Sequence, residues 1–268
     1  MALQEANDDT AGAGTHQNIA RASLVLSALA SASARGLRLT DVVRETALSK
    51  TAAHRCLNGL VAYGLAEYNE DNAHYYLGDT IFGWTQQAGQ RFELAGRAMP
   101  YLQRLANETS DTAYLAVRRR DESVCYGRAE GSFPIKTLTL SVGDRRPLGI
   151  GGGSLALLAF IEDEAERERI LAKHDAAYAS FNTTPKAVKK LVADARRNGF
   201  TRIDGQVIDG MSGIGVPVRA PTGATVAALS IAAMSARMTA PRTTEIVAAL
   251  RAEAARFEQE MQAVLQRD

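Results

Sequence analysis

Residues 39–64 read LTDVVRETALSKTAAHRCLNGLVAYG, a sequence that predicts two short helices joined by a tight turn. In the first helix Thr40 is the predicted N-cap, and Asp41 suits the positive end of the helix dipole. Ser49 is the predicted N-cap of the second helix. The apolar residues of that helix recur at helical spacing and therefore share one buried face: Ala53, Leu57, Leu60 and Val61.

The opposite face of the second helix carries side chains suited to DNA. Six residues on it are small or donate hydrogen bonds: Lys50, Thr51, Ala52, His54, Arg55 and Asn58. A helix-turn-helix protein places such side chains at the start of its recognition helix, where they reach base edges and phosphates. The expected DNA contacts are Ser49, Lys50, Thr51, Ala52, His54 and Arg55. The alternative is an ordinary amphipathic helix whose polar face is only solvated.

Two short strands are predicted directly after this helix, over 65–68 and 74–77, and they give the motif a wing. Glu70 and Asp71 lie at the wing tip, where they would repel phosphate, so the wing is expected mainly to support the helix. Residues 15–78, the predicted winged helix-turn-helix domain, carry six Lys or Arg against five Asp or Glu. Because this balance is only weakly basic, DNA binding would need two copies of the domain.

The length and composition indicate a globular protein of two domains. The chain has 268 residues, 46% of them hydrophobic, with 31 Lys and Arg against 30 Asp and Glu. The two cysteines and four histidines lie far apart, so neither a disulfide framework nor a metal site is expected. No apolar run approaches the roughly 20 residues of a membrane span. Residues 1–14 are predicted to be a flexible tail, and the composition fits a reducing cytoplasm.

A connector between the domains is predicted over 79–109. Three helices are predicted outside the motif by their apolar periodicity, over 17–33, 79–91 and 93–109. The last of them is expected to be interrupted or bent near Pro100. Trp84 lies on the apolar side of the first connector helix and is expected to be a packing anchor between domains or subunits rather than a ligand contact.

Residues 110–268 predict an α+β domain, because strands are interrupted by helices without regular alternation. The predicted strands lie over 112–117, 123–128, 135–140, 200–206, 213–219 and 225–233. The predicted helices lie over 155–160, 162–173, 185–198 and 242–266. The residues between the strands are typical of turns in an antiparallel sheet, for example Pro221, Thr222 and Gly223.

A glycine-rich loop, GIGGGS at 149–154, runs directly into an apolar helix. Glycines let the backbone approach a ligand closely, and a helix start offers unpaired N–H groups with a partial positive charge. This arrangement suits a carboxylate or a phosphate. The alternative is that the glycines only allow close packing of a strand and a helix. A phosphate-binding P-loop is not indicated, because no lysine follows the last glycine.

Catalytic residues are not evident in the sequence. No serine lies in a G-x-S-x-G pattern, and paired carboxylates near 162–164 are explained by helix capping. Asp204 and Asp209 flank a segment with loop character and either face a pocket or form turns. The chain is therefore expected not to be an enzyme, with a small-molecule enzyme that uses the glycine loop as the alternative. A structural module that uses the helix-turn-helix for protein contacts is a third hypothesis.

The two halves together resemble the IclR family of bacterial transcription regulators. Four stretches carry the resemblance over about 18–265: LSKTAAHRCLNGLVAYG, YYLG, RPLGIGGGSLALLAF and NGFTRIDGQVIDGMSGIGVPVRAPTGATVAALSI. The resemblance implies a winged helix-turn-helix, connector helices and a GAF-like effector-binding domain with an antiparallel sheet. It also implies homodimers, often dimers of dimers, that bind double-stranded operator DNA and respond to a small organic acid. No cofactor is implied. Such regulators often control catabolic operons.

The resemblance also assigns residues by position. It implies effector contacts from two groups, the loop residues Gly151, Gly152, Gly153 and Ser154, and the later residues Asp204, Met211, Gly213 and Ser230. The chain departs from the family pattern at Ala52, where a hydroxyl residue is usual, and at several positions of the second domain: Gly149, Leu155, Gln206, Ile208 and Gly213. These departures predict a roomier and less acidic pocket. The effector is therefore expected to be an aromatic carboxylate rather than a two- or three-carbon keto acid.

Overall fold

A computed structural model describes residues 16–265, with the side chains of 33, 89–93 and 264–265 excepted. The tail predicted over 1–14 lies outside the described residues. The chain divides into two compact units, with the division between Phe92 and Glu93. This division falls inside the stretch 79–109 that the sequence predicts as a connector. No helix within 16–265 has the length and apolar character needed to cross a membrane.

The first unit is a three-helix arrangement followed by a two-stranded wing. Its elements are α1 Gln17–Ala32, α2 Leu39–Thr46, α3 Lys50–Ala62, β1 Ala66–Asn69, β2 His74–Leu77 and α4 Asp79–Gln87. Strands β1 and β2 pair antiparallel, as the sequence predicts. The core residues come from all three helices and the wing: Val25, Ala28, Leu29, Leu37, Val42, Ala53, Leu57, Leu60, Ala66 and Tyr75. The winged helix-turn-helix is therefore confirmed.

Several details of the first unit differ from the sequence prediction. Thr40 is not the N-cap of α2, since Arg38 holds that position and its N–H donates to the Asp41 carboxylate at 3.2 Å. Val61 is 36% exposed, although its helical spacing predicts a buried position. The helix periodicity identifies a face only to within about one residue. In α1 the buried residues are Val25, Ala28 and Leu29.

The connector region forms two helices, but with different limits. Helix α4 ends at Gln87, and α5 runs over Gly89–Thr109 with Pro100 inside it. Pro100 does not interrupt the helix, which continues through that residue. No described side chain of α4 is buried, and Trp84 is 57% exposed.

The second unit is built on a six-stranded antiparallel sheet with strand order β5-β4-β3-β8-β7-β6. Its strands are β3 Thr112–Arg119, β4 Glu122–Glu130, β5 Arg145–Pro147, β6 Thr201–Asp204, β7 Met211–Arg219 and β8 Thr225–Met234. Its helices are α5, α6 Gly152–Ala159, α7 Glu164–Lys173, α8 Asp175–Ala179, α9 Pro185–Asn198 and α10 Ala240–Leu265. The α+β fold is confirmed.

Helices cover both faces of this sheet. Successive residues of a strand point to opposite faces, so Leu115 and Leu229 pack with α5 and α10. Ala116 and Ala228 pack on the other face, with the helices α6 to α9. This alternation places Ser230 on the same face as Ala228, next to the start of α6.

The prediction of a strand over 135–140 is wrong, because these residues form no strand. Side chains, instead of a neighbouring strand, bind the carbonyl groups of this stretch. Tyr114 Oη donates to Thr137 O, Arg146 Nη2 to Thr139 O, and Arg128 Nη1 to Leu140 O. The strand that pairs with β4 at this edge of the sheet is β5, which begins at Arg145. Residues 131–144, called the wall segment below, connect β4 to β5.

The turn between β3 and β4 is tied to α7 by a charged cluster. The Asp121 carboxylate lies 2.7 Å from Arg169 Nη2 and 2.8 Å from Lys173 Nζ. Hydrogen bonds from Arg169 and Lys173 hold the pKa of Asp121 well below its ordinary value. Asp121 is only 8% exposed. Removal of its partners would leave a buried carboxylate unpaired, which would destabilise the fold.

We expect Asp121→Asn to lower the free energy of unfolding at neutral pH by about 1–2 kcal/mol, because solvent already screens the two half-exposed cations. The depressed folded-state pKa stabilises the fold above the unfolded pKa of about 3.9, and this contribution disappears as the pH falls below that value. Urea unfolding of the wild type and the variant between pH 3 and 7 measures this contribution to the free energy of unfolding. The control is Asp209→Asn, since Asp209 is exposed. An equal difference between wild type and variant at all pH values would contradict the assignment.

Candidate functional site

Helix α3 begins with the residues expected to contact DNA. Ser49 is its N-cap and accepts a hydrogen bond from Ala52 N–H at 3.3 Å, as predicted. Its apolar face is buried through Ala53, Leu57 and Leu60. The opposite side of its first turns is open to solvent, at Ser49, Lys50, Thr51, His54 and Arg55, with Ala52 half-buried. The helix thus presents these side chains outward on a packed scaffold.

The two cations on this face have no counter-ion among the side chains that the structure describes. Among residues 16–265, no carboxylate lies within 4.0 Å of Lys50 or Arg55. By contrast, Arg44 on the neighbouring helix pairs with Asp41 at 2.9 Å and also approaches Glu45 at 4.0 Å. Unpaired exposed cations beside a helix N-terminus are the groups that bind phosphate most readily.

A cavity lies in the second unit, between the sheet, the start of α6 and the wall segment. It contains about 660 Å³ of space free of atoms, part of it open to solvent. Aliphatic side chains form much of its surface, including Leu140, Ile150, Ile203, Val207 and Met211. Hydroxyl groups, one guanidinium and one carboxylate interrupt this apolar surface: Tyr114, Ser123, Thr137, Thr139, Ser212, Ser230, Arg146 and Asp144.

The glycine-rich loop packs against the sheet and also lines the cavity. Gly151 has a φ of +91°, which a residue with a side chain rarely adopts, and it is the residue before α6. A Cβ on Gly152 would lie 3.1 Å from the carbonyl carbon of Gly213, so this glycine packs directly on strand β7. The loop still lines the cavity through Gly151, Gly152, Gly153 and Ser154. Close packing therefore brings the helix start to the cavity.

Two side chains hold the loop in place. Gln206 Oε1 accepts from Gly151 N–H at 3.0 Å, and its Nε2 donates to Gly149 O at 3.2 Å. Ser154 Oγ donates to Pro147 O at 3.0 Å and accepts from Gly149 N–H at 3.2 Å. The Ser154 hydroxyl is thus already used within the loop.

Most of the residues assigned to the effector site surround this one cavity. The loop residues, Met211, Gly213 and Ser230 all line it. Asp204 does not, since its carboxylate is at the edge of the sheet, 2.6 Å from Ser212 Oγ and 3.0 Å from Arg202 Nε. Asp209 is exposed and likewise absent from the lining.

Of the departures from the family pattern, only Gly213 lines the cavity. A side chain at 149 would point into the core against Val188, and Leu155 is fully buried there. Gln206 faces the loop backbone, and Ile208 is half-exposed. The expectation that all these positions shape the pocket is therefore wrong, because the helix and loop geometry turns most of them away from it.

The sequence interpretation missed the residues contributed by β3, β4, β5 and the wall segment. The most notable is Arg146, which is 8% exposed and lines the cavity. The doublet Arg145-Arg146 before the glycine loop was a usable indication, because neighbouring strand residues face opposite sides. Tyr114 and Cys125 could be found only from the strand pairing.

The cavity offers little for catalysis. Burial raises the pKa of the Cys125 thiol to about 11, so the thiol is protonated at neutral pH and is a poor nucleophile. Burial also raises the pKa of Tyr114 to about 12. Among the described residues, no group of three His, Cys, Asp or Glu side chains is placed to hold a metal ion.

Comparisons with known families cover most of the chain. The model of the IclR helix-turn-helix domain matches residues 18–70, and that of the bacterial transcriptional regulator IclR C-terminal domain matches residues 86–258. The second match alone spans well over half of the chain.

Individual relatives agree with the family models. The transcriptional regulator KipR of Bacillus subtilis is 25% identical over 77% of this chain and 82% of its own length. The Pca regulon regulatory protein of Pseudomonas putida is 26% identical over 76% and 70%. An IclR homologue from Microbacterium hydrocarbonoxydans, crystallised with 4-hydroxybenzoate, is 27% identical with a TM-score of 0.69, and the match covers 92% of this chain and 99% of that one. The Thermotoga maritima IclR structure, at 19% identity and a TM-score of 0.71, shows the same fold over 91% and 98%. These matches are transcriptional regulators rather than enzymes, and the chain belongs to the IclR family of bacterial transcriptional regulators.

Proposed function

We propose that this regulator binds a double-stranded operator as a homodimer, or a dimer of dimers, through the exposed start of α3. A small organic acid held in the cavity changes its operator affinity and so controls a catabolic operon. Aromatic acids fit this cavity better than two- or three-carbon keto acids. The proposed DNA contacts are Ser49, Lys50, Thr51, Ala52, His54 and Arg55. The proposed effector contacts are Gly151, Gly152, Gly153, Ser154, Met211, Gly213 and Ser230.

The observation that carries the DNA-binding part is the pair of exposed, unpaired cations at the start of α3. Lys50 and Arg55 lie on the side opposite the buried stripe, so they remain available when the helix enters a major groove. One domain offers few charges, and a dimer doubles them. Two recognition helices roughly 34 Å apart would reach successive major grooves on one side of the duplex.

The effector part rests on the composition of the cavity surface. An apolar ring can pack on Ile203 and Met211, while a carboxylate lies toward the glycine loop, where the first N–H groups of α6 have no intrahelical acceptor. Support also comes from a relative, the Microbacterium homologue crystallised with 4-hydroxybenzoate, which is an aromatic acid. A ligand that binds one arrangement of the dimer more tightly shifts the population toward it.

DNA binding is tested by footprinting the purified protein on DNA from its own locus at 50 and 200 mM salt. We expect protection of a two-fold symmetric site, and an affinity that falls about 10³-fold or more over this range if six phosphates are contacted. Absence of protection, or protection that does not depend on salt, would overturn the DNA-binding part.

Effector preference is tested by titrating benzoate, 4-hydroxybenzoate, pyruvate and glyoxylate into the protein. We expect the aromatic acids to raise the melting temperature at lower concentrations, since ligand at 100 times its dissociation constant adds about 2.7 kcal/mol of stability. The same compounds should change the footprint. Tighter binding of the keto acids would overturn the aromatic preference.

A further inference from the structure

Strand β5 contains two adjacent arginines that face opposite sides of the sheet edge. Arg145 is exposed and lies 2.8 Å from the Glu122 carboxylate. Arg146 is 8% exposed and its guanidinium lines the cavity. The pair thus provides one solvated, neutralised arginine and one buried arginine within a single short strand.

The buried guanidinium has only one hydrogen-bond acceptor in the described part of the chain. Its Nη2 donates to Thr139 O, which leaves Nε and Nη1 without an acceptor. Its Nη1 lies near Gly151, 3.5 Å from the place where a Cβ of that residue would be. Arginine has five donors and remains protonated in proteins, so most of its donors are available toward the cavity.

Arg146 forms no ion pair with the described side chains, although the Asp144 carboxylate lines the same cavity. No carboxylate oxygen of residues 16–265 lies within 4.0 Å of it. The nearby Arg128 pairs with Glu130 at 3.1 Å. The Asp144 carboxylate is exposed at the cavity edge and accepts from Ser141 N–H at 2.7 Å. A buried charge without a partner is costly, and an anionic ligand would remove that cost.

We propose that Arg146 binds the carboxylate of the effector and selects acids over neutral compounds of the same shape. This inference rests on the proposed function and deepens it by naming the residue that sets the ligand class. The anion is held between the guanidinium and the first turn of α6 beyond Gly151. The apolar body of the ligand then extends over Met211 and Leu140. A planar guanidinium fork can bind both carboxylate oxygens at once.

A purely structural role is the competing explanation. The bond from Arg146 to Thr139 O ties the wall segment to β5, and the guanidinium lies 6.0 Å from the ring centre of Phe181. In that case, replacing the arginine would loosen the wall segment without changing which ligands are preferred. The test must therefore separate ligand preference from stability.

The test is a calorimetric titration of the full-length protein with benzoate and 4-hydroxybenzoate and with their neutral amides. In the wild type we expect each acid to bind at least about 10-fold more tightly than its amide. In Arg146→Gln the dissociation constant of the acids should rise about 10- to 100-fold while that of the amides hardly changes, so that the preference disappears. Arg146→Lys should keep the preference with weaker binding, because the charge remains but the fork is lost.

The matched control is Arg145→Gln, which removes the neighbouring charge on the exposed side and should leave both affinities unchanged. Binding of the amides by Arg146→Gln with a nearly unchanged dissociation constant shows that the cavity of the variant is folded. If Arg146→Gln keeps the acid preference, this inference fails while the proposed function stands. If the wild type binds none of the acids, the effector part of the proposed function fails and this inference fails with it.

Discussion

Replacing both Lys50 and Arg55 with alanine will weaken operator binding by at least about 100-fold, because each protomer loses two charged contacts. An arginine that contacts a guanine edge contributes about 1–3 kcal/mol, and a lysine on phosphate contributes mainly salt-dependent affinity. Both side chains are exposed and unpaired, so their removal takes nothing from the core. Fluorescence anisotropy on the footprinted operator at several salt concentrations measures the affinity and its salt slope, which should become shallower.

The control for this prediction is Arg44→Ala. Arg44 is also exposed and basic, but it lies on α2 and pairs with Asp41, so its loss should change operator affinity much less. The melting temperature of the double variant should match that of the wild type. Equal loss of affinity in Arg44→Ala and in the double variant would mean that only net charge matters and that α3 is not the recognition helix.

The sequence predicts best those elements whose limits are set by local chemistry. Helix α9 begins and ends at the predicted residues. Thr184 caps its start, Pro185 suits its first position, and Gly199 ends it with a φ of +73°. Helix α3 was identified for the same reason, through the Ser49 cap and the buried stripe. In such segments the nearest neighbours in sequence determine the conformation.

The stretch 135–140 illustrates where this reasoning fails. Its sequence IKTLTL alternates and is typical of a strand, but Tyr114, Arg146 and Arg128 from three different strands bind its carbonyl groups. Their positions depend on the pairing of β3, β4 and β5, which no local pattern reveals. In the candidate site, too, some residues can be identified from local sequence and others only from strand pairing. The glycine loop is visible in the sequence, whereas the position of Arg146 beside the loop depends on the pairing of β5 with β4.

Replacing Gly215 with alanine will destabilise the second unit and weaken ligand binding together. Gly215 lies in β7, directly under the start of α6, where a Cβ would be 2.5 Å from Gly152 O and 2.9 Å from Thr201 Oγ1. That hydroxyl already donates to Gly152 O at 2.8 Å and to Gly215 O at 3.2 Å, so strand and helix meet here without space for a methyl group. The helix start must move away from the sheet, at a cost of about 1–3 kcal/mol.

The two effects of Gly215→Ala come from one displacement. The first turn of α6 is both the packed element and the cavity surface, so its movement shifts Gly152 and Gly153 relative to Ser230 and Arg146. We expect the melting temperature to fall by about 2–4 °C per kcal/mol, and the affinity for 4-hydroxybenzoate to fall with it. The control is Gly96→Ala in α5, where no atom lies within 4 Å of the new Cβ and alanine should instead stabilise the helix by about 0.5–1 kcal/mol. Lower stability of Gly215→Ala with unchanged ligand affinity would mean that the start of α6 does not contact the ligand.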